Sequence, residues 1–345
     1  MRGCFNMGSL HRLLVIGTEN GEEFVLSELE SSGIGNVKII GFIDDDPQRL
    51  GQKISLSVAG VQREKEPQTE LKVLGDYASV EELIQRHKIT ALVFGRRSRN
   101  LGNLVRVLSV CGRSGIEIIS VEGLYEKLAS QIFLKDPKNI SFDPLPFIRP
   151  RRFYKFLKRL FDVILVGIGL LLLLPFFPLI AVAIYLDSKG PIFYSQDRVG
   201  GNGKIFRLWK FRSMRVDAEK DGAVWAKKND DRITRVGKFL RKTHIDEFPQ
   251  FWNILKGEMA VVGPRPERPE FVTQLEKLLP LYPVRLVVKP GMAGWGLVCQ
   301  GYGSSVEDAA TKLQYDLYYV KHRSIVLDII ILSRTIIDVV RLEGR

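Results

Sequence analysis

Two adjacent carboxylates, Asp246 and Glu247, stand in a segment that also carries cations and amide side chains. Neighbouring residues of a helix point about 100° apart, so the two cannot act as a matched pair on one face. Different roles are more natural: one nucleophile or base, and one metal ligand or acid. Arg241 precedes the pair, and a carboxylate among cations stays ionised and nucleophilic. The alternative for so short a motif is a solvated acidic surface.

A second feature that suits phosphate chemistry is Arg265, which lies between Pro264 and Pro266. The prolines restrict the backbone on either side, and a guanidinium held in this way is suited to bidentate phosphate binding. Lys210 and Arg212 supply further cations upstream. The alternatives are a rigid turn with a surface arginine, and a cationic face toward solvent or lipid headgroups.

A third acidic residue, Asp316, stands close to Tyr318 and Tyr319 and is a candidate second metal or substrate ligand. Three widely spaced cysteines and four scattered histidines argue against a zinc site. Hard carboxylate ligands with a phosphate substrate favour Mg²⁺ instead. Asp246 and Glu247 are the candidate ligands for that ion.

The composition favours an anionic partner. The chain has 345 residues, enough for two domains, and its 45% hydrophobic and 26% charged content is typical of globular proteins. Its net charge of +12 suits nucleic acid, anionic lipid headgroups or phosphorylated substrates. A strongly apolar segment, and the lack of a basic helix with base-reading side chains, argue against nucleic acid.

The apolar segment, residues 163–186, contains no charged residue and is long enough for a transmembrane helix. Pro175 and Pro178 interrupt it near the middle and force a kink. Basic residues flank both ends, and the positive-inside tendency keeps both flanks cytoplasmic. We therefore predict a re-entrant membrane helix over about 158–187, which enters, breaks at the prolines and returns to the same face. The alternatives are a kinked full span and a buried core helix.

In the first part of the chain, short apolar runs alternate with helical patterns. We predict strands at 12–17, 37–44, 91–95 and 116–120, and helices near Phe24, at 80–87 and at 101–111. This alternation indicates a Rossmann-like, doubly wound parallel sheet over residues 1–135.

A nucleotide site in this first domain is weakly indicated. The turn from Gly17 to Gly21 lacks the GxGxxG pattern, and Glu19 places a negative charge where a pyrophosphate would bind. Asp44 stands where a ribose-binding acid is found in such folds. The alternative is that the glycines only allow close packing of strand and helix.

A proline-rich stretch at 136–150 reads as an extended linker, which places the domain boundary there and a second domain at 151–345. Near the end of the chain, residues 325–340 are apolar but carry Asp328 and Asp338. This pattern suits an amphipathic helix on the membrane surface or a core helix.

From about residue 151 to residue 344 the chain resembles the bacterial sugar transferases of the monotopic polyprenyl-phosphate phosphoglycosyl transferase superfamily. The first part looks like the Rossmann-like domain that precedes the catalytic part in larger members. The matching blocks are ordered along the chain: 158–162, 190–200, 210–214, 231–237, 240–243, 246–250, 256–259, 262–266, 289–291 and 315–319.

The resemblance implies a mostly helical α+β catalytic domain and a two-step transfer of a sugar-1-phosphate. Asp246 would attack the β-phosphate of a nucleoside diphosphate sugar, usually a UDP-sugar, so that UMP leaves. A polyprenyl phosphate, usually undecaprenyl phosphate, would then accept the phosphosugar and so prime exopolysaccharide, capsule or O-antigen synthesis. Glu247 would be the acidic partner of Asp246 and would be involved with Mg²⁺, while Arg241 and Arg265 would hold phosphate. The site is completed by Lys210, Arg212 and Asp316.

The resemblance also implies an inner-membrane protein with its active site at the cytoplasmic face, and homodimer formation is an open expectation. Three departures stand out. Residues 293–298 read Ala-Gly-Trp-Gly-Leu-Val where the family usually has Thr-Gly-Trp-Ala-Gln-Val, which puts substrate preference or site polarity in doubt. His244 stands where serine is common. The several transmembrane helices that usually begin the larger members are not visible.

Two other functions compete with the transferase. One is a non-catalytic membrane scaffold or regulator of glycan assembly, against which Asp246, Glu247 and Arg265 argue. The other is a soluble nucleotide-sugar dehydratase or epimerase. That activity needs a good dinucleotide loop and a Tyr-x-x-x-Lys pair in the first domain, and the sequence shows neither.

Overall fold

The computed structural model describes residues 11–16, 37–55, 70–94, 101–132, 134, 152–218, 230–301 and 305–341. The chain divides into two compact units, Met1–Phe133 and Leu134–Arg345.

The first unit is built on a six-stranded sheet with the order β3-β4-β2-β1-β5-β6. Its strands are β1 (His11–Ile16), β2 (Val37–Ile43), β3 (Lys53–Ser55), β4 (Glu70–Gly75), β5 (Ala91–Phe94) and β6 (Glu117–Ser120). Every pairing is parallel except that of β3 with β4 at the edge. The prediction of a parallel sheet is therefore confirmed, while β3 and β4 were not predicted.

Helices cover both faces of this sheet. They are α1 (Val80–His87), α2 (Leu101–Ser114) and α3 (Val121–Ala129). Leu13 and Val15 of β1 face the core that α3 covers, whereas Leu14 and Ile16 face the core that includes α1 and α2. Side chains that alternate between two apolar cores make the strand a continuous hydrophobic run, as expected for a buried parallel sheet.

The predicted nucleotide turn from Gly17 to Gly21, the predicted helix near Phe24 and the predicted linker at 136–150 lie outside the described residues. Asp44 follows β2, as predicted, and its carboxylate pairs with Arg49 at 3.1 Å. Its other oxygen accepts a hydrogen bond from the backbone of Asp46. A ribose-binding role for Asp44 stays a prediction.

The second unit begins with a long apolar helical segment. It consists of α4 (Arg152–Leu173), a 3₁₀ turn (Leu174–Phe176) and α5 (Phe177–Asp187). Its most apolar 18-residue window has a mean hydropathy of 2.8 and is only 6% buried, so the segment is long and apolar enough to cross a membrane. The break falls at the predicted prolines: Pro175 lies in the 3₁₀ turn and Pro178 in the first turn of α5.

The remaining elements form a small mixed α/β body. Two antiparallel strands, β7 (Phe193–Val199) and β8 (Ile205–Phe211), form a hairpin, and β9 (Ala260–Val262) pairs in parallel with β10 (Gly291–Ala293). The helices are α6 (Arg235–Lys242), α7 (Gln250–Lys256), α8 (Pro269–Leu278), α9 (Trp295–Gln300), α10 (Val306–His322) and α11 (Ile325–Val340). A mostly helical second domain agrees with the prediction.

The helix α11 has the bounds that the sequence indicates. Its residues Leu327, Asp328 and Ile331 are buried, while Val326 and Ile336 on other faces are exposed. One face therefore belongs to the core, and contact of the exposed apolar face with a membrane surface stays a prediction.

The N-terminal part of α4 is tied to this body by a buried ion cluster. Lys158 Nζ lies 3.0 Å from a carboxylate oxygen of Asp162 and 3.0 Å from one of Asp328 in α11. Asp162 also accepts a hydrogen bond from the backbone of Val261 in β9. Arg159 donates to the carbonyl groups of residues 254 and 255 at the end of α7. The apolar segment is thus anchored where it meets the mixed α/β body.

Replacing Lys158 by alanine is expected to destabilise the protein strongly, because two buried carboxylates would lose their shared cation. Breaking a buried ion pair from one side costs about 3–5 kcal/mol, which corresponds to a fall in Tm of roughly 10 °C for a unit of this size. Thermal unfolding in nanodiscs measures the change. Lys155→Ala, at an exposed position of the same helix, is the control, and equal Tm values for the two variants would contradict the anchoring role.

Candidate functional site

Asp246 and Glu247 lie in a single 3₁₀ turn (Ile245–Glu247) between α6 and α7. His244 precedes this turn in the left-handed region, with φ 58°, so the helical path of α6 does not continue into it. Both carboxylates are buried, with 6% and 5% of their surfaces exposed. The solvated acidic surface that was the alternative for this motif is therefore wrong.

One oxygen of the Glu247 carboxylate is engaged with two cations. Its Oε1 accepts hydrogen bonds from Lys210 Nζ at 2.8 Å and from Arg265 Nη2 at 2.5 Å. Lys210 is contributed by β8, and Arg265 by the proline-flanked loop after β9. Burial alone raises the pKa of Glu247, but Arg265 and Lys210 outweigh it, so the pKa is lowered. Glu247 is therefore ionised and neutralised by its neighbours.

Asp246 has the opposite environment. Its carboxylate accepts no hydrogen bond from any residue that the structure describes, and it faces a cavity of about 390 Å³. Burial raises the pKa of Asp246 to about 6, with Lys210 acting in the opposite direction and the charge of Glu247 adding to the rise. The two neighbouring carboxylates thus have different environments, as the sequence predicts, and Asp246 is the one with an open oxygen.

The cavity brings together all seven residues that the sequence singled out. Its lining includes Lys210, Arg212, Arg241, Asp246, Glu247, Arg265 and Asp316. Elements far apart in the chain supply them: the β7–β8 hairpin, α6, the 3₁₀ turn, the loop after β9, and α10. Such convergence of charged side chains in a concave site is typical of a substrate pocket.

Asp316 lines the cavity but is already bound to another residue. It is 1% exposed, and its Oδ2 accepts hydrogen bonds from Nε and Nη2 of Arg285 at 2.9 and 2.7 Å. Arg285 is 3% exposed and belongs to a 3₁₀ helix, Tyr282–Val287. Binding of metal or substrate by Asp316 stays a prediction. In the structure this carboxylate binds Arg285.

Arg285 also lines the cavity, and the sequence did not indicate it. Its Nη2 donates to the backbone carbonyl of Arg265 at 2.9 Å, and its Nη1 donates to the hydroxyl of Tyr282 at 2.9 Å. Asp316 therefore holds Arg285, and Arg285 holds the backbone of the residue that binds Glu247. A single arginine without a local motif offers no signal in the sequence that would reveal this connection.

A second ion cluster forms another wall of the cavity. Glu267 lies 3.6 Å from Arg198 of β7 and 3.4 Å from Lys312 of α10. Arg198 also donates to the carbonyl of Pro266. These contacts attach the loop that carries Arg265 to the hairpin and to α10, so the proline-flanked loop is held from both sides.

Residues 153–342 match the family model described as bacterial sugar transferase. The chain belongs to the bacterial sugar transferase family.

The names of several curated relatives of this sugar transferase refer to undecaprenyl phosphate or to polysaccharide production. It is 38% identical over 235 residues to UDP-N-acetylgalactosamine-undecaprenyl-phosphate N-acetylgalactosaminephosphotransferase of Aeromonas hydrophila, covering 68% of this chain and 55% of that protein. It is 42% identical to UDP-glucose:undecaprenyl-phosphate glucose-1-phosphate transferase of Klebsiella pneumoniae, covering 52% and 39%. It is 41% identical to exopolysaccharide production protein PSS of Rhizobium leguminosarum bv. phaseoli, covering 53% and 94%. The chain thus spans only about half of the first of these relatives.

Gly296 is one of the positions at which this sugar transferase departs from the usual family pattern. A Cβ atom at this position would lie 2.8 Å from Cγ of Lys312 and 3.0 Å from Oδ1 of Asp316. The glycine therefore permits a close approach of α9 to the part of α10 that lines the cavity. The departure bears on the shape of the site near Lys312 rather than on Asp246.

The donor set of the site suits Mg²⁺ only in combination with a substrate. Among the described residues, no group of three or more His, Cys, Asp or Glu side chains is arranged to hold a metal. Asp246 has an open carboxylate, however, and Oε2 of Glu247 has only a 3.4 Å contact with Arg265. One or two carboxylates completed by substrate phosphates are a usual environment for this ion, so the residues present fit it.

Proposed function

We propose that this sugar transferase moves a sugar-1-phosphate from a UDP-sugar to undecaprenyl phosphate, releases UMP, and so primes polysaccharide synthesis. The observation that carries the proposal is the open, buried carboxylate of Asp246 beside a Glu247 that two cations neutralise. The names of the Aeromonas and Klebsiella relatives support the donor and acceptor classes. The enzyme is a transferase of a substituted phosphate group.

In the first step, a carboxylate oxygen of Asp246 attacks the phosphorus that bears the sugar. A bond forms between that oxygen and phosphorus, while the bond from phosphorus to the bridging oxygen breaks and UMP leaves with the electron pair. The nucleophile must be ionised, and a pKa near 6 leaves it so at neutral pH. Covalent catalysis divides the transfer into two displacements.

In the second step, a phosphate oxygen of the polyprenyl phosphate attacks the same phosphorus. A phosphoanhydride bond forms, the acyl phosphate bond to Asp246 breaks, and the free carboxylate returns. Because the covalent intermediate lets the soluble donor and the lipid acceptor react in turn, the two need not bind together. This order suits a pocket of about 390 Å³.

The cations of the site stabilise the negative charge that the donor brings. Arg241 lines the cavity, is half-buried and acts on the charge of Asp246. Arg265 and Lys210 lie within contact of Glu247 and are the other donors for phosphate oxygens. Mg²⁺ held by Asp246 or Glu247 would neutralise phosphate charge. These side chains all line one cavity, which supports the proposed first step.

The segment Arg152–Asp187 is proposed to enter the inner membrane from the cytoplasmic face and to return to it. The 3₁₀ turn at Pro175 and the basic residues on both flanks support a re-entrant path. This path would place the cavity at the cytoplasmic interface, where nucleotide sugar and lipid phosphate meet. Cysteine labelling that finds the two ends of the segment on opposite faces would contradict it.

The test of the function is UMP release by the full chain in nanodiscs, with Mg²⁺ and a panel of UDP-sugars. We expect sustained release with one sugar and only when undecaprenyl phosphate is present. Exchange of labelled UMP into that UDP-sugar should occur without the lipid, because the first step is reversible and independent of the acceptor. Turnover that requires both substrates bound at once, with no exchange, would contradict the covalent route.

The rate of UMP exchange is expected to fall on the acid side with an apparent pKa near 6. The pKa of Asp246 is raised to about 6, so the nucleophile is protonated below this value and ionised above it. The exchange rate should therefore drop about tenfold for each pH unit well below 6. A pH series with labelled UMP measures it, and a rate that stays constant down to pH 4.5 would exclude Asp246 as the titrating nucleophile.

A further inference from the structure

The cations that line the cavity differ in whether an acidic partner neutralises them. Lys210 and Arg265 share Glu247, Arg285 pairs with Asp316, and Arg198 and Lys312 share Glu267. Arg212, Arg215 and Arg241 line the same cavity but form no ion pair with any residue in the described part of the chain. Of these three arginines, Arg212 is the buried one. It is therefore a cation whose counter-charge the described side chains do not supply.

Arg212 is also deeply buried. Only 5% of its surface is exposed, and its Nη2 donates to the backbone carbonyl of Ser188. Its Nε and Nη1 are buried and have no hydrogen-bond partner among the described residues. Burial also lowers the pKa of Arg212, with no nearby acid to oppose it. A buried, unpaired guanidinium is unfavourable unless an anion completes it.

Arg212 lies next to the end of the long apolar segment. Ser188 is the first residue after α5, at the end of the long apolar segment. Directly before Arg212, the ring of Phe211 packs on Phe177 of that segment at 5.2 Å and on Phe193 at 5.6 Å. The guanidinium therefore lies where the apolar segment meets the charged cavity.

We propose that Arg212 forms the subsite for the phosphate group of the polyprenyl phosphate acceptor. This assignment rests on the proposed function, which requires a lipid phosphate to reach Asp246. A phosphate on a long hydrocarbon chain enters the cavity from the end of the apolar segment, where Nε and Nη1 of Arg212 have unused N–H groups. The soluble donor is left to Arg241, Lys210 and Arg265 around the carboxylate pair.

The test separates the two half-reactions in the full chain held in nanodiscs. In Arg212→Lys and Arg212→Gln, we expect the KM for undecaprenyl phosphate to rise about 10-fold to 100-fold, because hydrogen bonds to a charged group are lost. Exchange of labelled UMP into the UDP-sugar, which needs no lipid, should stay within about twofold of wild type. Arg207→Gln removes a cation from the same strand region at an exposed position outside the cavity and should change neither value.

Three results would overturn the assignment. Loss of UMP exchange with an unchanged lipid KM would assign Arg212 to the donor. An equal loss of both half-reactions, with a lower Tm, would show that Arg212 acts only through its structural contact with Ser188. An unchanged lipid KM in both variants would remove it from the site.

A binding measurement keeps this assignment separate from the proposed function. If the wild-type protein shows no UMP exchange with any donor, the proposed function fails, but the subsite is still tested by comparing undecaprenyl phosphate with uncharged undecaprenol. We expect wild type to prefer the phosphate at least about tenfold, and Arg212→Gln to lose that preference. Retention of the preference by Arg212→Gln would contradict the subsite.

Discussion

Replacing Asp246 by asparagine is expected to abolish sugar-phosphate transfer. Asparagine keeps the size of the side chain but is not a nucleophile toward phosphorus, so neither UMP exchange nor lipid-dependent turnover can proceed. Loss of the covalent nucleophile lowers kcat by roughly 10⁶-fold in a well-studied serine hydrolase. The protein should still fold and associate with the membrane, because Asp246 forms no hydrogen bond with the described residues that the substitution would break.

The measurement for Asp246→Asn combines turnover with detection of the intermediate. Wild type incubated with the UDP-sugar alone should gain the mass of one phosphosugar on the peptide that contains residue 246, and the variant should gain none. Asp197→Asn, which changes a mostly exposed carboxylate paired loosely with Arg207 at 3.9 Å, is the matched control and should keep full activity. Turnover by Asp246→Asn above about 1% of wild type would refute the nucleophile assignment.

The carboxylate pair and its cations could be predicted because their residue types are chemically restrictive. The combination of Asp246, Glu247 and a proline-flanked Arg265 is suited to phosphate chemistry, and the structure brings these residues to one cavity. Which of the two carboxylates pairs with the cations, and which is left without a hydrogen bond from the described residues, could not be predicted from the residue types. It depends on Lys210 and Arg265 both reaching Glu247, and these contacts span 37 and 18 residues of sequence.

Secondary structure followed the sequence where hydrophobic periodicity was long and clear. The helix α1 at Val80–His87 and the helix α11 at Ile325–Val340 have the predicted bounds. The strand β3 has only three residues, Lys53–Ser55, which is too short for an alternating pattern to be recognised. It pairs antiparallel with β4, so the sheet has an antiparallel edge that alternation of strands and helices does not predict.

Asp316 is an example of a residue whose partner in the fold could not be predicted from the sequence. Its position beside two tyrosines made it a candidate ligand, yet its charge partner Arg285 lies 31 residues away in a 3₁₀ helix. Only the packing of that helix against α10 brings the two within 2.7 Å. A carboxylate's role depends on which cation is adjacent, and this adjacency is a property of tertiary structure.

The second large effect is therefore expected from Arg285, which should act on catalysis through Arg265. Arg285→Lys removes the planar fork that contacts Asp316 and the carbonyl of Arg265 together. We expect a fall in kcat/KM for the UDP-sugar of about 100-fold, because Arg265 is no longer held against Glu247. The lipid KM should change much less, since the acceptor subsite lies at Arg212.

A double-mutant cycle distinguishes positioning from a general loss of stability. If Arg285 acts through Arg265, the variant Arg265→Lys/Arg285→Lys should be no slower than Arg265→Lys alone, so the two losses are strongly non-additive. Tyr282→Phe removes one hydrogen bond to Arg285 while keeping the contact with Asp316, and should lower kcat/KM by less than about fivefold. If the losses in kcat/KM of the two single variants multiply in the double variant, Arg285 acts on catalysis independently of Arg265, and the positioning role is contradicted.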